Sequence, residues 1–565
     1  RGPEHPLPKL QMYNAATDPL QQIPPHRLLA MRRGEKEDVL RLRIKAPEEE
    51  ILGRLCVLFV SAESRFSELL REIIADAYKR LLTPSIEVEL RLQAKKAADD
   101  EAIRVFAENL RNLLLAAPAG SYKVLGVDPG LRTGSKLAVV DATGRFLDHV
   151  TIYPHTGGGA KIESARRELL RLIENHNIEM IAIGNGTAGR EMDQFIRAAL
   201  KETGLKLQVV MVSEAGASVY SASEIAREEF PDLDLTVRGA ISIARRLQDP
   251  LAELVKVDPK SIGVGQYQHD VSQTALKKSL DEVVESCVNF VGVDLNTASW
   301  ALLSFVSGIS ETLAKAIVNH RDSEGAFVRR DQLLKVSRFG KKAYEQAAGF
   351  LRIRNAVQPL DNTAVHPERY GVVEKMATDL GVAIAKLVTE PALLNNIRLE
   401  TYAGDDIGLP TLKDIVNELK KPGRDPRESF VTTSFREDVM EVKDLKEGMT
   451  LNGIVTNVAA FGAFVDIGVH QDGLVHVSQL ADRFVKDPNQ VVKVGQQVQV
   501  RVLSIDLQRK RIGLTMRKGE AEKPPQQKER VKQARSGKKA PEPSTAMAEA
   551  LSKSGFRVNK GKGSR

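Results

Sequence analysis

The spacing of the apolar residues changes several times along the chain, and this succession limits the possible folds more than any other feature. Apolar residues recur at helical spacing over the first 120 residues and again over 280–356, whereas 122–153 and 446–517 contain short runs with the two-residue period of β-strands. With 565 residues, the chain is too long for a single hydrophobic core. The sequence therefore predicts a multidomain α+β protein: a mainly helical scaffold with an α/β domain, paired helical hairpins and a C-terminal β-barrel.

The predicted domain boundaries follow these changes of period and a Pro- and Gly-rich linker near residue 421. They give a helical scaffold at 1–120, an α/β domain at 121–255, a region of helical hairpins at 256–357, a helical connector and linker at 358–430, a β-barrel at 445–517 and a basic tail at 518–565.

The positive charge of the chain is concentrated in that tail. The formal net charge is +8, and the tail alone holds 13 Lys or Arg against five Glu. A Lys- and Pro-rich segment with few apolar residues is typical of a disordered arm, which either solubilises the protein or binds phosphates. No uncharged apolar run reaches the roughly 18 residues of a membrane span, and no secretory signal is visible. We therefore expect a soluble cytoplasmic protein without membrane association.

The barrel contains the most specific motif of the sequence. Residues 453–468 and 472–478 resemble the RNA-binding OB-fold domain named after ribosomal protein S-one. The resemblance implies that Phe461 and His476 line the binding groove, where aromatic rings stack on bases of any identity. For Phe464 two interpretations stay open, a core aromatic of the barrel or a second contact to the nucleic acid. The sequence predicts a single-strand-binding surface without base-sequence preference.

Basic residues near the end of the barrel are candidates for phosphate contacts. Lys510 directly precedes the last predicted strand, at 511–515, and Arg511 begins it. Contacts of this kind make binding to nucleic acid depend on salt concentration.

Two short motifs resemble the helix-hairpin-helix modules of DNA-uptake and repair proteins. In each, a glycine, Gly308 or Gly340, precedes a predicted helix. A glycine permits a tight turn, and the free amides at a helix N-terminus can bind a phosphate oxygen. Lys341 and Lys342 add positive charge to the second hairpin, whereas Glu311 makes the first less suited to an anion. The second hairpin is the better candidate, and a purely structural hairpin is the alternative.

The α/β domain begins with residues 124–130, which resemble the first strand of the RNase H-like fold in its YqgF and RuvC branch. Nucleases of this fold use three or four carboxylates to hold two divalent ions. Here Asp128 and Glu214 are the candidate ligands, but the tip of the fourth strand carries no acid. Arg238, a cation that would repel metal ions, lies where the last helix of related nucleases begins with Asp or Glu. We interpret the two carboxylates as vestigial and the domain as a scaffold with lost or weak catalysis, in which Glu191 and Asp249 are further acids that could fold inward.

The order of these modules resembles that of the bacterial Tex family of transcription accessory proteins. The passages that carry the resemblance are 214–223, 242–270 and 348–353. It implies a cytoplasmic factor that acts on transcription through nucleic acid and through RNA polymerase or its complexes. Family members have a further helical N-terminal region that this sequence does not show.

The sequence thus favours a monomeric protein that binds single-stranded RNA, and also DNA, with no metal or cofactor. Cys56 and Cys287 have no His or Cys neighbours at metal-ligand spacing, and no phosphate-cradling or dinucleotide motif is present. Two other classes of function stay open. One is a metal-dependent, structure-specific nuclease that uses Asp128 and Glu214, and the other is a translation-associated RNA-binding factor.

Overall fold

The structure is a computed structural model. It describes residue 13 and residues 16–61, 63–155, 158–404, 407–420, 423, 425–427, 442–459, 461–469, 471–485, 487–506 and 511–517. Lys510 and the predicted tail at 518–565 lie outside the described residues.

The N-terminal part is helical, as predicted. Its helices are α1 (Pro25–Lys36), α2 (Glu48–Phe59), α3 (Ser67–Ala77) and α4 (Thr83–Leu114), with a π-helical turn at Tyr78–Leu82. Leu29 of α1 packs with Phe106 and Leu110 of α4 in the largest hydrophobic core. Helices α2 and α3 bury no residue, and Val57 of α2 is 84% exposed. The helical period therefore predicted the helices, but it did not predict that α2 and α3 bury no residue.

The next domain is built on a five-stranded mixed sheet. Its strands are β1 (Val124–Asp128), β2 (Ser135–Val140), β3 (Phe146–Ile152), β4 (Met180–Gly184) and β5 (Gln208–Val212). The spatial order is β3-β2-β1-β4-β5, in which the first three strands form an antiparallel meander and β1, β4 and β5 are parallel. Parallel strands place their carboxyl ends at one edge, so the residues after β1, β4 and β5 meet there.

Helices cover both faces of this sheet. They are α5 (Gly158–His176) and α6 (Gly189–Thr203) on one face, and α9 (Leu235–Gln248) on the other; α7 (Ala217–Ala222) and α8 (Glu224–Glu229) precede α9, and α10 (Pro250–Leu254) follows it. Gly126 sets the position of α9, because a Cβ atom at 126 would overlap the carbonyl oxygen of Ala240. The close contact brings the first turns of α9 to the end of β1.

The helical hairpins and the connector follow. Their elements are α11 (Gln273–Val291), β6 (Val293–Asp294), α12 (Trp300–Leu303), α13 (Glu311–Glu324), α14 (Lys341–Ala347), β7 (Leu351–Arg352), α15 (Tyr370–Asp379), α16 (Ile384–Thr389) and α17 (Leu409–Leu419), with short 3₁₀ helices between them. The hairpins share the large core with α1 and α4, whereas α15 to α17 surround a separate core.

The last described domain is a closed five-stranded barrel. Its strands are β8 (Thr450–Ala459), β9 (Gly462–Asp466), β10 (Gly473–His476), β11 (Gln497–Asp506) and β12 (Arg511–Thr515). They are ordered β10-β12-β11-β8-β9, and the barrel closes through antiparallel pairing of β9 with β10. The predicted multidomain α+β class with an RNase H-like domain, helical hairpins and a C-terminal barrel is confirmed. No helix among the described residues has the length and apolar character needed to cross a bilayer.

Candidate nucleic-acid interface

Three of the residues predicted to bind nucleic acid lie on one outer face of the barrel. Phe464 of β9 pairs with Leu474 of β10, which in turn pairs with Gly513 of β12. Side chains two residues apart point to the same face of a strand. His476 and Arg511 therefore share this face with Phe464, while the alternate residues between them are buried in the barrel core. We call Phe464, His476 and Arg511 the outer face. Phe464 is thus not a core aromatic of the barrel.

The ring of His476 is exposed and held in a fixed orientation. The backbone N–H of Ser478 donates to its Nδ1, which also lies 2.9 Å from the Ser478 hydroxyl. Because Nδ1 accepts a hydrogen bond, the neutral ring carries its proton on Nε2. Opposite His476 on β9 stands Gly462, where a Cβ atom would overlap the carbonyl oxygen of Val475. Only glycine fits there, so no side chain covers the imidazole from that strand.

Phe461 lies in the turn between β8 and β9, beside the outer face, and is half-buried. Its ring contacts Phe464 edge-on, with centroids 5.9 Å apart and planes at 89°. On its other side the ring of His26, from the first turn of α1, lies 4.8 Å away at 52°. No sequence pattern predicted this contact, since His26 is far from the barrel along the chain and belongs to no motif.

Hydrogen bonds fix the barrel to the rest of the protein next to the outer face. The side-chain amide of Asn109 in α4 donates to Oδ1 of Asn457 and to the carbonyl oxygen of Val458, at 2.8 and 2.9 Å. Arg190 of α6 pairs with Asp466 of β9 at 2.7 Å. The barrel is therefore attached along β8 and β9, and the outer face opens at the junction between the barrel and the helical body.

The two hairpin glycines differ in their surroundings. Gly308 has a φ of +86°, and a Cβ atom there would lie 2.7 Å from Cβ of Gln346 in α14. Gly340 has a φ of −86° and no atom within 4 Å of an added Cβ. Gly308 therefore serves the packing of the first hairpin on the second, while the turn at Gly340 is open to solvent.

The charges of the hairpins differ in the same way. Lys341 and Lys342 are exposed, and neither forms an ion pair with another described residue. In the first hairpin, by contrast, Glu311 pairs with Lys315 at 2.9 Å, and the same ammonium group lies 4.3 Å from the centroid of the Trp300 ring. Only the second hairpin presents unpaired positive charge beside its turn.

Asp128 and Glu214 lie near each other at the carboxyl edge of the sheet. A Cβ atom at Gly186 would overlap the Glu214 carboxylate, which accepts a hydrogen bond from the backbone of Gly186. Burial raises the pKa of Asp128 to about 6, and the nearby charge of Glu214 adds to the effect. The pKa of Glu214 is also raised, chiefly by burial. The residue of α9 that faces Asp128 is Gly239, whose added Cβ would lie 2.7 Å from Oδ2.

The expectation that Arg238 repels cations from this site is wrong. Its guanidinium is buried and donates to the carbonyl oxygens of Phe230 and Ser221 at 3.1 and 3.3 Å, and the cation whose charge acts on Asp128 is Lys136. Among the residues that the structure describes, no group of three or more His, Cys, Asp or Glu side chains could hold a metal ion.

Five family descriptions match consecutive parts of the chain. They are "Tex central region-like" at 1–106, "Tex protein YqgF-like domain" at 122–248, "Helix-hairpin-helix motif" at 288–352, "HHH domain" at 358–427 and "S1 RNA binding domain" at 444–517.

Three relatives match along about nine tenths of this chain. Protein YhgF of Escherichia coli K12 is 52% identical over 91% of this chain and 68% of its own length. Transcriptional accessory protein Tex of Neisseria gonorrhoeae is 51% identical, over 90% of this chain and 68% of its own. The human S1 RNA-binding domain-containing protein 1 is 35% identical over 91% of this chain and 58% of its own length. The chain thus spans about two thirds of the bacterial relatives.

Two of the solved structures that match cover short parts of the chain. GSP13 of Bacillus subtilis is 40% identical over 15% of this chain and 64% of its own, with a TM-score of 0.13. RuvC of Thermus thermophilus is 18% identical over 24% of this chain and 95% of its own, with a TM-score of 0.18.

Proposed function

The chain belongs to the Tex family of transcriptional accessory proteins, and we propose that it binds single-stranded nucleic acid, RNA in preference to DNA, in the course of transcription. The observation that carries the proposal is the outer face of Phe464, His476 and Arg511, with Phe461 at its border. No cofactor is needed for this activity.

The chemistry of the outer face fits an unpaired strand. Rings that are exposed on one side offer the flat apolar surface on which a base stacks, and such stacking contributes about 1–3 kcal/mol per base. Arg511 is exposed at the start of β12, where it can approach the phosphates of a strand that follows the rings. Bases in a duplex are stacked on one another and are unavailable to a side-chain ring. The face therefore favours single strands, and the match to an S1 RNA binding domain supports RNA.

The second hairpin adds a contact to the phosphate backbone in this proposal. The open turn at Gly340 and the unpaired charges of Lys341 and Lys342 support it. Gly308 is left out of the binding surface, because it is in contact with Gln346. The hairpin extends the footprint of the protein beyond the bases that stack on the barrel.

We further propose that the RNase H-like domain does not cut nucleic acid. Two-metal hydrolysis needs several carboxylates around the scissile phosphate. At the edge that would hold them, Asp128 and Glu214 come together, while Gly239 faces Asp128 where a further ligand would have to stand. Asp249, which directly follows α9, accepts two hydrogen bonds from Arg427 instead.

Binding of fluorescent 12-nucleotide RNA, the matching single-stranded DNA and duplex DNA, measured by anisotropy over a salt series, tests the proposal. We expect the tightest binding for single-stranded RNA and the weakest for the duplex at every salt concentration. Equal or tighter binding of the duplex would contradict it, and would move the binding site from the barrel to the hairpins.

The cellular setting is a further part of the proposal. We expect a cytoplasmic monomer that associates with RNA polymerase, and sedimentation together with affinity purification tests each point. Recovery with ribosomes in place of polymerase would favour a role in translation.

A further inference from the structure

The aromatic surface of the barrel does not end at Phe461. His26, Phe461 and Phe464 form a continuous row, with centroid separations of 4.8 and 5.9 Å. The first ring of the row belongs to the helical body, not to the barrel. A strand that stacks on the outer face and continues past Phe461 therefore meets α1.

Helix α4 holds both rings of the contact between His26 and Phe461 in place. Behind His26, Leu28 and Leu29 of α1 are buried against α4. On its other side, α4 bonds the barrel through Asn109, next to the turn that carries Phe461. The separation of the two rings is thus set by α4, and the row is a built feature of the junction.

His26 lies beside the ring of Phe461 and does not stack over its face. A side chain that occupied the position of a stacked base would lie parallel to Phe461, whereas His26 is inclined to it by 52°. Phe461 also stays half-exposed with His26 in place. Both observations leave a surface on which a base can lie.

The charge state of His26 suits contact with a base rather than with a phosphate. Burial, followed by the neighbouring charge of Arg27, lowers the pKa of His26 below its ordinary value of 6.5. The imidazole is therefore neutral at pH 7. A neutral ring next to two phenyl rings offers a stacking surface in place of a phosphate contact.

We infer that His26 is a further nucleic-acid-binding residue, on which the single strand stacks one more base after it leaves the barrel. This inference rests on the proposed function and extends it, because it makes the binding site a composite of barrel and helical body. The added ligand is one nucleotide of the same strand.

The full chain with His26→Ala tests the inference against RNA of two lengths. Removing one stacking ring should weaken binding of a strand of about ten nucleotides roughly fivefold. Binding of a strand of about four nucleotides, which the barrel rings alone can hold, should be unchanged. His26→Phe, which keeps a ring, should bind both lengths as the parent does. A role in packing alone would not depend on the length of the RNA.

Two results of the binding experiment would overturn the inference that a base stacks on His26. Unchanged binding of the longer strand by His26→Ala would show a packing contact only, and tighter binding would show that His26 covers Phe461. Photocrosslinking of 4-thiouridine RNA to the parent chain gives an independent test that needs no substitution: we expect crosslinks in α1 as well as in the barrel, and crosslinks in the barrel alone would contradict the inference. If Phe464→Ala with His476→Ala also leaves affinity unchanged, the proposed function itself has failed.

Discussion

Oδ2 of Asp128 lies within 2.7 Å of the point that a Cβ atom on Gly239 would occupy, so the carboxylate rests against the bare backbone of α9. The helix comes this close because Gly126 in β1 gives it room beside Ala240. As a result Asp128 is shielded from water, and the nearby carboxylate of Glu214 adds negative charge. The two glycines thus account for the close approach of α9, and the resulting burial is the larger cause of the raised pKa of Asp128.

Asp128 should make the stability of the protein depend on pH. Its pKa is about 6 in the folded protein and 3.8 as the ordinary value, so the folded state binds the proton more tightly. Ionisation therefore costs folding free energy that appears as pH rises from about 4 through 6. Asp128→Asn should stabilise the α/β domain by about 1–2 kcal/mol at pH 7.5, and the gain should vanish below pH 4.

Thermal unfolding at pH 4 and pH 7.5 measures this effect. Asp232→Asn, at an exposed position of the same domain, is the matched control and should change neither midpoint. The same gain for Asp128→Asn at both pH values would show that the carboxylate is not destabilised by ionisation.

The protein should not cleave nucleic acid. We expect intact labelled RNA, single-stranded DNA and branched junctions after incubation with Mg²⁺ or Mn²⁺, because the described residues supply too few ligands for two ions. Gel analysis of the parent and of Asp128→Ala checks this. Cleavage by the parent that Asp128→Ala abolishes would establish the nuclease alternative.

Alanine substitutions should separate the two hairpin glycines. Gly308→Ala places a Cβ against Gln346 at a positive φ and should destabilise the hairpins by about 1–3 kcal/mol. Gly340→Ala enters open space at a negative φ, and we expect a change below about 1 kcal/mol. Thermal unfolding of both variants is the measurement, and equal losses would contradict the assignment of Gly308 to packing.

The second hairpin should contribute to the salt dependence of binding. Replacing Lys341 and Lys342 by Gln should weaken RNA binding at low salt and lower the slope of log affinity against log salt by about 0.7 for each lost phosphate contact. Lys277 and Lys278 of α11 are the matched control, since each pairs with a carboxylate of its own helix. A larger effect of the control pair would place the phosphate contact elsewhere.

The sequence was most informative where period and local structure decide the outcome. The strand predicted at 511–515 has those bounds, because alternate residues of a small barrel must be buried. The proximity of Asp128 and Glu214 was also predictable, since Asp128 ends β1, Glu214 follows β5, and the carboxyl ends of these strands share an edge. The position of Phe464 followed only from the strand register, which the sequence left open.

The sequence did not predict side-chain directions or contacts between residues far apart along the chain. Arg238 has the sequence position of a residue near the carboxylates, yet its guanidinium is buried and donates to the carbonyl oxygens of Phe230 and Ser221. The contact of His26 with Phe461 depends on how α1 and the barrel pack on α4, which no local pattern encodes. Apolar spacing likewise cannot tell which helix faces are buried, as the exposed Val57 of α2 illustrates.

If the outer face of the barrel binds the single strand, the double variant Phe464→Ala with His476→Ala should bind single-stranded RNA less tightly than the parent. The control is Phe484→Ala, which removes an aromatic ring of the same barrel that is 92% exposed. We predict a loss of affinity of tenfold or more, about 1.4 kcal/mol, for the double variant and less than about twofold for the control, with unfolding midpoints unchanged. Equal affinities of the double variant and the parent would contradict the account.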